Sequence, residues 1–101
     1  MELIMQTMRT HPSDLKIQRL GCAELWNLVV NDEKKIKLAA LGGMELIMQT
    51  MRTHPSDLEI QRRGCGALQS LAVNDENKIK LAALGGMELI MQTMRTHPSD
   101  L

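Results

Sequence analysis

The chain has 101 residues, with twelve basic and twelve acidic side chains and a formal net charge of zero. This length allows one domain, and the balanced charge argues against a nucleic-acid or membrane partner that is bound mainly through charge. No apolar run approaches the roughly 20 residues that span a bilayer, and the opening Met-Glu-Leu-Ile-Met lacks the basic residues of a targeting signal.

The strongest signal is an internal repeat. The peptide Met-Glu-Leu-Ile-Met-Gln-Thr-Met-Arg-Thr-His-Pro-Ser-Asp-Leu occurs three times, starting at Met1, Met44 and Met87. Residues 1–43 and 44–86 are identical at 35 of 43 positions, so the period is 43 residues. Such a period is typical of stacked helical repeats, in which each unit buries its apolar face against its neighbours.

In chain order, the pattern predicts three helices per repeat. Residues 1–30 are expected to form a partial repeat with the second and third helices, residues 31–73 a full repeat, and residues 74–101 a partial repeat with the first and second helices. We expect residues 1–101 to form a single domain of about two and a third repeats.

The full repeat carries the signals for the first two helices. Asn31-Asp32 predicts the N-cap of a short first helix that runs through Leu41, where Gly42-Gly43 supplies a left-handed exit. The second helix is expected from about Met44 to Thr53, because the proline that follows the next histidine drives that histidine out of helical geometry.

The third helix is expected to open at Ser56 and to run to about Val73. Ser56 and Glu59 have the spacing of a capping box, in which the two side chains satisfy free amides reciprocally. In the first repeat the matching pair is Ser13 and Lys16, so the reciprocal half of the box is missing there.

Glycine and cysteine recur inside the third helices. Gly21 and Gly64 cost about 1 kcal/mol each relative to alanine, so we expect them to let a neighbouring helix approach closely. Stacked helices lie about 8–10 Å apart, too far for a disulfide between Cys22 and Cys65, which are predicted to be buried thiols. Free thiols indicate a reducing, intracellular compartment, which we expect to be the cytoplasm, with the nucleus as an alternative.

Short, medium and long helices with Gly-Gly and His-Pro-Ser between them, and the pattern Gly-Cys-x-x-Leu-x-x-Leu in the third helix, resemble an armadillo repeat over the whole chain. HEAT repeats, the near alternative, normally have two helices per unit. The resemblance implies an all-α fold, a right-handed armadillo-type α-solenoid whose third helices line a concave groove. It also implies that the groove binds extended peptides of partner proteins, often through a ladder of asparagines.

Eight positions differ between the two repeats, and seven of them fall in the third helix. On a helical wheel, positions 16, 20, 23 and 27 share an arc opposite the apolar face. Either these exposed residues vary because nothing holds them, or they line a groove in which each meets a different part of a ligand. The candidate peptide-binding residues are Lys16, Leu20, Ala23, Trp26, Asn27, Glu59, Arg63, Gln69 and Ser70.

The resemblance is incomplete in the groove. Asn27 falls where the ladder asparagine of the family belongs, whereas the second repeat has Ser70 at that position. Ala23 and Gly66 replace the tryptophan that the family often has one turn earlier.

Both ends of the predicted stack are uncapped, and helical solenoids normally carry polar capping repeats. We expect apolar surface there to drive self-association through Leu3, Ile4, Met5, Met8, Leu89, Ile90, Met91 and Met94. Since the sequences are interchangeable, Met1–Leu15 of one chain is expected to replace Met87–Leu101 of another, which would build a ring or a fibre. A two-fold end-to-end dimer is the simpler alternative. Near-perfect repetition also suggests an engineered or excised chain, or a recent duplication.

No motif for catalysis, a metal or a cofactor is present. His54 and Cys65 are residue types that can form a nucleophile and base, but both recur with the period, so we assign them structural roles. Zinc needs four converging ligands, and no Cys-x-x-Cys or His-x-x-x-His spacing occurs. We expect a non-enzymatic interaction or scaffold module without a cofactor, with itself and an extended peptide as partners and neither nucleic acid nor membrane. The alternative is a designed repeat protein with no natural ligand.

Overall fold

The computed structural model describes residues 1–98, which contain seven α-helices and no strand. The helices are α1 (Glu2–Thr10), α2 (Leu15–Leu28), α3 (Asp32–Ala40), α4 (Gly43–Thr53), α5 (Leu58–Leu71), α6 (Asp75–Ala83) and α7 (Gly86–Thr96). None of these seven helices is long and apolar enough to cross a membrane. The last three residues of the predicted partial repeat 74–101 and of the predicted exchange segment Met87–Leu101 lie outside the described residues.

The helices follow the predicted three-helix order. α1, α4 and α7 are second helices, α2 and α5 are third helices, and α3 and α6 are first helices. α2 packs along α5 in the most extensive helix–helix contact of residues 1–98, while α1 packs on α2 and α4 packs on α5. This all-helical arrangement of stacked repeats is consistent with an α-solenoid.

Most helix ends follow the predicted signals. Asn31 accepts a hydrogen bond from the amide of Lys34 at 2.9 Å and so caps α3. Gly42, at the exit of α3, has a left-handed φ of 86°. α4 ends at Thr53, immediately before the His-Pro pair.

The predicted start of the third helix at Ser56, with its capping box to Glu59, is wrong. α5 begins at Leu58, and its N-cap is Asp57, whose Oδ1 accepts a hydrogen bond from the Ile60 amide at 2.9 Å. Aspartate is as good an N-cap as serine. In the structure the N-cap position is filled by Asp57, one residue after the predicted Ser56. α2 begins in the same way.

The third helix also ends earlier than predicted. α5 ends at Leu71, and the expected end was near Val73. The chain leaves the helix here because Asn74 adopts an extended conformation and caps α6.

The third helices lie very close to the second helices, as the internal glycines predicted. A Cβ on Gly21 would overlap the sulfur of Met8, and a Cβ on Gly64 would sit 2.7 Å from Cγ and Sδ of Met51. Both methionine side chains are fully buried at these crossings. The two glycines therefore allow a methionine to fill the space between the helices.

Two buried glutamines join consecutive repeats, a role that was not predicted from the sequence. Gln18 Nε2 donates to the carbonyls of Met8 and His11 at 3.0 and 2.9 Å, and its Oε1 accepts from Thr50 Oγ1 at 3.0 Å. Gln61 repeats this pattern with the end of α4 and with Thr93 of α7. Each glutamine thus connects its own third helix to the second helices on both sides.

Candidate interaction surfaces

A cleft of about 680 Å³ opens between α2, α5 and α7. Its lining residues are Trp26, Leu58, Glu59, Arg62, Arg63, Cys65, Gly66, Gln69, Ile90 and Met94. We call it the docking cleft. Four predicted groove residues therefore meet here, namely Trp26, Glu59, Arg63 and Gln69.

The other predicted groove residues lie outside this cleft. Lys16, Leu20 and Asn27 are exposed on α2, and Ala23 is half-buried beside them. Ser70 is half-buried on α5. These side chains follow the exposed face of the two third helices, and the structure does not gather them into one pocket with the first four.

Trp26 explains three of the differences between the repeats. Its ring lies against Gly66, where a Cβ would come within 2.5 Å of Cζ2, and its Nε1 donates to Ser70 Oγ at 3.2 Å. Gly66 and Ser70 are the second-repeat partners of Ala23 and Asn27. The third helices therefore differ here because a side chain of one repeat packs on the next, an explanation that neither earlier interpretation contained.

Opposite charges alternate beside the docking cleft, and two of them, Glu59 and Arg63, line it. Asp57 accepts a hydrogen bond from Arg19 Nε at 2.9 Å, and Glu59 lies between Arg19 and Arg63, with Oε2 3.7 Å and Oε1 3.1 Å from the two Nε atoms. The bond from Arg19 holds the pKa of the Asp57 carboxyl below its ordinary value, and burial opposes this shift. The same bond raises the pKa of Arg19. Mixed signs give the cleft no simple preference for a peptide of one charge.

The methionine face of α7 is exposed, and its Met94 lines the docking cleft. Met91 and Met94 are 51% and 53% exposed, whereas their copies in α4, Met48 and Met51, are 2% and 1% exposed beneath α5. Within residues 1–98, no third helix follows α7 to cover it. α5 packs on α2 and α4. One period later, a third helix would pack on α5 and α7, which is where the cleft lies.

Of the predicted self-association residues near α7, Met91 and Met94 are the exposed pair, and Leu89 and Ile90 are half-buried. At α1, Leu3 is 77% exposed and Ile4 is half-buried. Met5 and Met8 belong to the core, because they are buried in contact with the rest of the chain. These last two side chains contribute no apolar surface for a partner.

Neither cysteine in the described residues is in a disulfide. Burial raises the pKa of Cys22 to about 12. Burial also raises the pKa of Cys65, although a hydrogen bond with Thr93 lowers it in part. Cys65 lines the docking cleft and Cys22 does not, so the two thiols have different surroundings.

The histidines connect loops of successive repeats. His54 Nε2 lies 2.8 Å from the carbonyl oxygen of Pro12, and His97 Nε2 lies 3.1 Å from that of Pro55. Within residues 1–98, no group of three or more His, Cys, Asp or Glu side chains is placed to hold a metal ion. The structure therefore gives these histidines a loop-to-loop contact, which was not predicted from the sequence.

Comparison with known proteins gives no match: no protein-family profile, curated protein or solved structure is similar to this chain. No relative therefore supplies a function or a site residue. The functional inference depends on the surfaces of the chain itself.

Proposed function

We propose that this chain is a protein–protein interaction module that assembles with copies of itself, built as a right-handed armadillo-type solenoid. One observation carries the proposal: the sequence of α4 is repeated without change in α7, yet its methionine face is covered in α4 and exposed in α7. Burial of a methionine side chain contributes about 1.5–3 kcal/mol. An assembly in which a third helix follows this copy of the repeat, on α7 or on the identical segment of a second chain, would therefore gain substantial free energy.

The exposed faces of α2 and α5 support a second part of the same function. Side chains that differ between repeats, among them Lys16, Leu20 and Asn27, stay accessible there. An extended peptide laid across the two helices would meet a different set of side chains on each. The two free thiols favour the cytoplasm as the location.

A designed repeat protein without a natural ligand is the second candidate. The observation in its favour is the identity of 35 of 43 residues between the two repeats. Peptide-array binding separates the two candidates. The groove is supported if the chain binds a specific peptide, and if this binding is lost in Asn27→Ala or Arg63→Glu but kept in Gln6→Ala of α1. A chain that binds no peptide supports the designed protein.

Sedimentation equilibrium tests the self-association. Between about 1 and about 100 μM chain, the weight-average mass should rise above that of the 11.3 kDa monomer. The rise should persist at high salt, because the surface on α7 is apolar. A monomer over the whole range would overturn the proposed assembly.

A further inference from the structure

The threonine that ends the recurring Ile-Met-Gln-Thr segment has two different environments in its three copies. Thr50 is buried and bonds Gln18 of the preceding third helix, and Thr93 is buried and bonds Gln61 at 2.9 Å. Thr7 is exposed and donates to the carbonyl of Leu3 within its own helix at 2.9 Å. α1 therefore presents a copy of a surface that α4 and α7 use to bind a third helix.

α7 is packed less completely than α1, although their shared ten residues are identical. α1 buries Met5 and Met8, and Gln18 of α2 bonds the carbonyl of Met8. The buried residues of α7 are Gly86 and Thr93. Because less apolar surface leaves water when α7 docks, α7 detaches at a lower cost than α1 does.

We propose that the α1–α2 hairpin of a second copy displaces α7, so that α1 takes the place of α7 on α5 and α6 while α2 fills the docking cleft. The proposal rests on the proposed self-association and names its route: α7 leaves, and the arriving α1 already has Met5 and Met8 buried. Thr7 of the second copy would then bond Gln61, as Thr93 does now. Leu3 would be covered as its half-buried copies Leu46 and Leu89 are.

The exchange is favourable because few contacts are lost. Contacts between α1 and α2 stay within the arriving hairpin, and contacts of Met87–Thr96 with α5 and α6 are replaced by those of the identical Met1–Thr10. The gain is a new contact between α5 and the arriving α2, which corresponds to the most extensive contact inside one chain. In this contact Gln69 would face Ala23 and Asn27, as Trp26 now faces Gly66 and Ser70.

The geometry also sets the form of the assembly. Each chain would give its α1–α2 hairpin to one neighbour and receive a hairpin from another, so the contact is heterologous. Such a contact closes into a ring or grows as a fibre, and it does not stop at a two-fold dimer. Masses above that of a dimer are therefore expected in sedimentation.

The first test places a charge where only the exchange would bury it. Thr7→Glu should leave the fold intact, as seen by circular dichroism, because Thr7 is exposed. In the exchange its carboxylate would lie against the Gln61 oxygen, so Kd for association should rise at least about 10-fold. Gln6→Glu is the matched control: its copies Gln49 and Gln92 are also exposed, so its Kd should equal that of the wild type.

The second test should move the equilibrium in the opposite direction. Thr93→Glu buries a carboxylate beneath α7 and should loosen that helix from Gln61. Since α7 competes with the arriving α1, Kd for association should fall by about 10-fold or more. An unchanged or weaker association of a Thr93→Glu chain that remains helical would overturn the displacement of α7.

Cysteine reactivity reports on the docking cleft itself. Cys65 lines the cleft at 7% exposure, and Cys22 is fully buried as an internal control. Alkylation of Cys65 by N-ethylmaleimide should slow as association proceeds, because the arriving α2 covers it, and Cys22 should stay unreactive throughout. Association with unchanged Cys65 reactivity, or with full affinity in Thr7→Glu, overturns the exchange and leaves self-association standing. A wild-type chain that never associates overturns both.

Discussion

α4 and α7 have the same eleven-residue sequence and different surroundings. In α4, α5 covers the methionine face and Gln61 bonds the carbonyl of Met51 at 3.0 Å. In α7, the corresponding Met94 is exposed, whereas Thr93 is buried and bonds Gln61. Local sequence therefore determines that each second helix forms, whereas the third helix that follows it determines whether its methionine face is buried.

The largest expected effect comes from truncating one copy of the same methionine. Met51→Ala should lower the free energy of unfolding by about 2–5 kcal/mol, because it leaves a cavity between α4 and α5. Met94→Ala is the matched variant and should cost less than about 0.5 kcal/mol, since this side chain is half exposed. Urea denaturation measures both values. If self-association interferes, both variants are measured in the Thr7→Glu background, which is expected to associate weakly. Equal losses would contradict the difference between the two helices.

A smaller effect is expected when α5 is pushed away from α4. In Gly64→Ala the new Cβ would lie 2.7 Å from Met51, so the side chain must shift and stability should fall by about 1–3 kcal/mol. In the Met51→Ala background the new Cβ meets Ile47 Cγ2 at 3.5 Å, an ordinary van der Waals contact, and alanine is the better helix former. Gly64→Ala should therefore be neutral or stabilising in that background. An equal cost in both backgrounds would show that the crossing does not depend on this contact.

The smallest effect concerns the charge pair at the start of α5. Arg19 lowers the pKa of the Asp57 carboxyl, so the pair stabilises the fold above the ordinary carboxyl pKa near 4. This stabilisation is lost as pH falls through the lowered pKa of the folded state. The wild type should thus lose more stability than Arg19→Gln between about pH 5 and pH 2, with Lys16→Gln behaving as the wild type. If the free energy of unfolding changes with pH by the same amount in Arg19→Gln and in the wild type, the Arg19–Asp57 pair makes no such contribution.

Much of the fold was predictable because its signals are local. The proline after His54, the left-handed Gly42 and the N-cap Asn31 each act within a few residues, and the helices end where these residues predict. The start of α5 was mispredicted because Ser56 and Asp57 are both good N-caps, and spacing alone does not choose between neighbours.

The interaction surfaces were predictable only in part. The difference between Trp26 and Gln69 was visible, but the contact of Trp26 with Gly66 joins residues of different repeats and has no local signature. Exposure of α7 followed from the period, whereas burial of Met5 and Met8 did not, because it depends on the way α2 folds back over α1. The buried role of Gln18 was missed for the same reason.

The most direct test of the dependence on the following third helix is amide hydrogen exchange in α4 and α7, read by NMR on assigned backbone amides of dilute protein. The two helices share sequence and flanking residues, so their intrinsic exchange rates are equal and any difference reports on structure. Amides of α4 should exchange only through global unfolding, and those of α7 through local detachment, at least about 100-fold faster. Equal protection of the two helices would contradict the account.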